Sequence, residues 1–141
     1  MKMFNEQHLD KFENLTEQEK KSHMEMALHI CDTWQLTKYD KAKLLRADSL
    51  TEITCWKLKI VFNVEPLNLY LASNLLDIYD ALHTIYFDHD KERKWLTTPQ
   101  AKLSNLSPIS IMLFDNLDGF LYIKEELSET IKNLATLTDE S

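Results

Sequence analysis

A single glycine, Gly119, stands in the 141 residues of the chain. Phosphate-cradling loops and dinucleotide-binding turns need several glycines close together, so both are excluded. With three prolines besides, turn formers are too few for a sandwich or barrel of many short strands. The two cysteines, Cys31 and Cys55, lie far apart without paired spacing; this reads as reduced thiols rather than a secreted disulfide scaffold. Cationic excess is missing as well. Sixteen Lys and Arg face 23 Asp and Glu, a formal net charge of −7, which argues against a chain that coats nucleic acid or an anionic membrane. The longest uncharged stretches, 66–76 and 103–114, fall short of the roughly 20 residues of a membrane span. The opening residues, Met1 to Glu6, hold no apolar signal-peptide core. An all-α, cytoplasmic protein is expected, long enough to fold without disulfide or metal.

What is present is Leu, Lys and Glu in helical rhythm. Thr16-Glu17-Gln18-Glu19 fits a capping box, and Met24, Ala27, Leu28, Ile30 and Cys31 form the stripe of a first helix closed by Trp34-Gln35-Leu36. Thr37 and Asp40 open a short second helix carrying Ala42, Leu44 and Leu45. Ser49-Leu50-Thr51-Glu52, another capping box, starts a third through Ile53, Trp56, Ile60 and Val61. Pro66 suits the first turn of a long helix that is apolar on most faces from Leu67 to Phe87, and so is central to the core or an oligomer seam. The charge run 88–94 reads as a linker opening a further short helix, which ends at Thr98-Pro99. Ser107 and Pro108 are N-cap and first residue of another helix, with Ile109, Met112 and Leu113 on one face and Gly119 expected as its left-handed stop. Phe120, Ile123, Leu127, Ile131 and Leu134 mark a last helix, frayed from Thr136. Three regions follow: a helix-turn-helix-like bundle over 1–62, a central helix and linker over 63–90, and a small helical unit over 91–141.

Catalytic chemistry finds little support. Asp77, Asp80 and His83, spaced by helical turns, have the makings of an acid–base set but equally of a solvated stripe. His83 and His89, like His23 and His29, are six apart, unlike the i, i+4 pair of a zinc helix, so no metal site is expected. No serine sits between glycines as a nucleophile elbow requires, and the cysteines have apolar neighbours. Neither catalytic residues nor a cofactor are expected. The stretch 36–57 has helix-turn-helix grammar, with Ile53 and Trp56 filling its centre. Lys41, Arg46, Thr51, Thr54 and Lys57 are its DNA-facing candidates, although its reading helix carries no arginine to grip guanine. The same unit read without DNA is a helical scaffold.

Taken in order, Trp95-Leu96, Pro99, Leu103, Ser107-Pro108-Ile109, Leu113, Gly119 and Leu127 resemble the toxin-binding domain of Xre/MbcA/ParS-type antitoxins. Trp34-Gln35-Leu36, Ala42 to Leu45 and Trp56 are similar to the Xre-like helix-turn-helix half of that family, so the resemblance covers roughly 24–134. It implies a non-enzymatic antitoxin of a type II pair that occludes the active site of a RES-type toxin, an NAD-consuming or ADP-ribosylating enzyme. It also implies a homo-oligomer and, as an alternative role, repression of promoter DNA through the N-terminal half. Trp95, Leu96, Pro99, Pro108, Gly119, Phe120, Glu125, Glu126 and Glu129 are the toxin-facing candidates. Residues 88–141 carry ten acids and six bases, which suits the cationic cleft of an enzyme that holds a pyrophosphate. Trp95, Pro108 and Phe120 would be its apolar anchors. Helical spacing alone also explains Trp95, Leu96, Ile109 and Leu113 as core. The chain departs from the family where Arg46 replaces the turn glycine, where no glycine precedes Ser107, and where 133–136 lacks a glycine-rich finish.

Overall fold

Helix starts are set by side chains that hold amides the first turn leaves free. In the computed structural model, which describes residues 3–59 and 63–139, the Thr16 hydroxyl accepts the Glu19 amide and the Glu19 carboxylate accepts that of Thr16, opening α1 (Glu17–Thr33). Thr37 caps α2 (Lys38–Leu45) through the Asp40 amide. Ser49 caps α3 (Leu50–Leu58), but Glu52 takes the Asp48 amide rather than that of Ser49, so the second expected box is half formed. Ile60 and Val61, expected on α3, lie outside the described residues.

α4 (Pro66–Tyr86) begins on its proline, with Asn68 Oδ1 accepting the Glu65 amide. Asp88 caps α5 (His89–Thr97) through the Lys91 amide, and Ser107 caps α6 (Pro108–Phe114) through that of Ser110. α7 (Asn116–Asp139) completes the chain, and two 3-10 segments, Glu6–Phe12 and Ala101–Leu103, flank these helices. Among the described residues there is no strand, only one bridge between Gln100 and Leu106.

α4 is the axis of the fold. It packs against α1, α2, α5, α7 and the N-terminal 3-10 segment, and Leu69, Leu71, Ala72, Leu75, Ile78 and Leu82 on it have no exposed surface. Those residues belong to the interior of this chain, while Leu67, Leu76, Tyr79, Ile85 and Tyr86 are only partly buried. Each large side chain buried this way is worth about 1.5–3 kcal/mol of transfer free energy. One cluster of buried residues runs from Phe4 through Trp34, Trp56 and Leu96 to Leu127.

Three expectations are corrected. Gly119 does not stop α6, which ends at Phe114; Asp115 leaves the helix (φ −145°, ψ 94°) and accepts the Leu117 and Asp118 amides at the start of α7. Gly119 lies in the first turn of α7 without a positive φ. A Cβ there would stand 2.6 Å from the Ile111 carbonyl oxygen and 3.1 Å from Met112 Cα, so glycine serves close backbone approach, not a turn. Secondly, the charge run opens α5 as expected but is no linker, since it is helical from His89 and Glu92 within it is fully buried. Thirdly, α7 stays helical past Thr136 to Asp139, while Glu140 and Ser141 lie outside the described residues.

Candidate functional site

Packing sorts the toxin-facing candidates into two groups. Leu96, Pro108, Gly119 and Phe120 are buried and offer a partner no surface, because each sits on the inward side of its helix. That corrects their assignment as contacts; Phe120, an expected anchor, is core. Trp95 is half-buried, and Pro99, Glu125 and Glu129 are exposed. Glu126 is half-buried and pairs with Lys102 at 3.4 Å.

An apolar groove at the α6–α7 joint escaped the sequence reading. Phe114, the last residue of α6, is 90% exposed, and Leu106 beside it is 50% exposed. With Tyr122 and Ile111 they border a groove of about 460 Å³ whose rim includes Asp115 and Asp118. Along α7, Asp118, Tyr122, Glu125 and Glu129 recur at intervals of three and four and share one side of the helix. The two predicted glutamates thus extend the groove's acidic rim as a stripe. Further on, residues 132–137 of α7 are all exposed, including Leu137 at 65%. Phe114 was missed because an apolar residue at a helix end reads as core. Its one signal is the Asp115-Asn116 pair, which cuts the helix just beyond it.

The DNA-facing candidates divide between side chains exposed on α3 and side chains engaged by other elements. Thr51, Thr54 and Lys57 are exposed on α3. Lys41 is ion-paired with Asp32, and Arg46 donates from Nε to Asn116 Oδ1 at 2.9 Å. Arg46 does adopt the left-handed conformation of a turn glycine (φ 55°, ψ 45°). The acid–base set does not assemble: Asp77 pairs with Lys124 at 2.8 Å, and His83 turns instead to Glu92 at 3.0 Å. Burial pushes the Cys31 thiol from an ordinary 9.0 up to about 12, which keeps it protonated and inert.

No protein-family model matches the chain, and no curated protein matches it significantly. Among the described residues no helix is long and apolar enough to cross a membrane.

Proposed function

We propose that the chain is an antitoxin that binds a RES-type toxin through the α6–α7 groove and occludes the toxin's active site. The observation that carries this reading is the exposed Phe114 groove running into the acidic stripe of Asp118, Glu125 and Glu129. Large apolar side chains left bare beside a concave surface mark interaction sites, and an apolar anchor ringed by charge is the usual anatomy of one. A negative stripe complements the cationic cleft of an enzyme that binds a pyrophosphate. Assembly into a homo-oligomer belongs to the same reading.

Co-expression with a RES-domain protein encoded beside this chain tests it. The wild type is expected to co-purify with the toxin and restore growth. Phe114→Glu combined with Glu125→Lys and Glu129→Lys is expected to weaken the complex by about 30-fold or more. Thermal stability should hardly change, since all three side chains are exposed. Full rescue by the triple variant would refute the assigned surface. Truncation after Gly119 is a poorer test, because it removes Phe120, Ile123 and Leu127 from the core.

A second reading, promoter binding through α3, is favoured by Thr51, Thr54 and Lys57 standing exposed on one helix. Salt-dependent retention of the gene's own upstream DNA would support it.

A further inference from the structure

The corner where α4 meets α5 brings together groups that look unrelated in the chain. On a continuous helix, His83 and His89 would face different ways, but the helix is broken between them. Phe87 closes α4 in the left-handed conformation (φ 53°, ψ 27°), Asp88 caps α5, and His89 is the first residue of the new helix. The reversal returns His89 to His83, with ring centroids 5.7 Å apart. Three residues on, Glu92 occupies the same side of α5 as His89 and has no exposed surface. Its Oε2 lies 3.0 Å from His83 Nδ1, and its Oε1 accepts the Trp34 indole N–H at 3.4 Å. One ligand atom from each of His83, His89 and Glu92 falls within 4.8 Å of the others. The Tyr79 hydroxyl stands 3.1 Å from His89 Nε2, and the Tyr79 ring stacks on that of His83.

We propose that this corner binds a divalent transition-metal ion, Zn²⁺ foremost, through His83 Nδ1, an imidazole nitrogen of His89 and the Glu92 carboxylate. Two imidazoles and a carboxylate are a zinc donor set, and three protein ligands leave a fourth position for water on the open side of the corner. The buried carboxylate is the strongest element. A charge withdrawn from water needs a partner close by, and a cation supplies one. In the metal-free form His83 Nδ1 and the Glu92 carboxylate share a hydrogen bond; Zn²⁺ takes the place between them, with the proton of the neutral imidazole carried on Nε2. The Trp34 indole holds the carboxylate in orientation, as outer partners of metal ligands do. Tetrahedral zinc ligands lie about 3.3 Å apart, so the triad has to tighten by about 1.5 Å at most. The exposed His89 ring makes that movement by giving up its contact with the Tyr79 hydroxyl.

Metal titrations of the tag-free, metal-stripped full chain decide the matter. The wild type is expected to take up one Co²⁺ with the intense visible bands of a four-coordinate site, and to release it to Zn²⁺. His89→Ala removes an exposed ligand without touching the core and should weaken Zn²⁺ binding by about 100-fold or more. His23→Ala, in α1 away from the corner, should leave the affinity unchanged. Zn²⁺ should raise the melting temperature of the wild type but not of His89→Ala. Glu92→Gln is the second ligand variant; should it fail to fold, His89→Ala alone decides. The proposal is overturned if no saturable Co²⁺ spectrum develops, or if His89→Ala binds Zn²⁺ as tightly as the wild type. In either case His83, Glu92 and Trp34 form a hydrogen-bonded brace and nothing more.

Discussion

At Gly119 two residue-level effects oppose one another, and their sizes settle the outcome. Alanine is the better helix former by about 1 kcal/mol. Its Cβ, however, would stand 2.6 Å from the Ile111 carbonyl oxygen, a backbone atom that moves only if α6 moves. Overpacking of this kind costs about 1–3 kcal/mol, so Gly119→Ala is expected to lower the urea midpoint; a raised midpoint would contradict the close approach. Cys31 gives a pH dependence. In the unfolded chain its thiol ionises near 9.0, whereas burial in the fold holds it to about 12. Above pH 9 the unfolded state therefore releases a proton that the folded state keeps, and stability falls with rising pH by up to about 1.4 kcal/mol per unit. Tyr70 and Tyr86, also raised by burial, act in the same direction. Denaturant titrations at several values from pH 8 to 11 should show a shallower loss in Cys31→Ala than in the wild type, while equal slopes would mean that the thiol is not protected.

Among the elements, α2 depends most on a neighbour. Its eight residues are too few for an isolated helix to persist in water. Two of its last three carbonyls, those of Lys43 and Leu44, accept bonds from Asn116 Nδ2 at 3.1 Å each, that of Leu45 accepts from Asn68 Nδ2 at 2.8 Å, and Asn116 Oδ1 also holds Arg46. A residue on α7 thus shares the C-terminal capping of α2 with Asn68 of α4. Asn116→Ala takes the side-chain donor from both carbonyls, leaving that of Lys43 only the long bond from the Arg46 amide, and is expected to cost about 1–3 kcal/mol by chemical denaturation. Amide exchange should quicken in α2 more than in α4. A change under about 0.5 kcal/mol would place the variant with neutral surface substitutions and remove Asn116 from this role. Helix starts were legible because Thr16, Thr37, Ser49, Asp88 and Ser107 are caps that act within one turn. Helix ends were legible at Trp34-Gln35-Leu36 and at Thr98-Pro99, where α1 and α5 stop, but not at α6. Gln35, Arg46, Lys59, Phe87 and Ser104 carry positive φ angles and are residue types that do not advertise a left-handed turn, whereas Asn105 is one that does.

For the molecule as a whole, the surface is more informative than the interior. Most of α4 is enclosed by its own chain, and several large apolar side chains stand bare outside the core cluster, among them Phe114 and Leu106 at the groove, Phe87 at the end of α4 and Leu137 near the end of α7. The groove and the acidic side of α7 form one continuous surface, while the histidine corner lies where α4 meets α5. Local chemistry in the sequence was enough to determine an all-helical chain, its capped starts and its apolar stripes, since caps and 3.6-residue periodicity act between near neighbours. Only tertiary structure decided that Phe120 is core and Phe114 is surface, that Gly119 joins two helices, and that His83, His89 and Glu92 converge. Those outcomes depend on the angle at which one helix leaves another, and short-range periodicity carries no information about that angle.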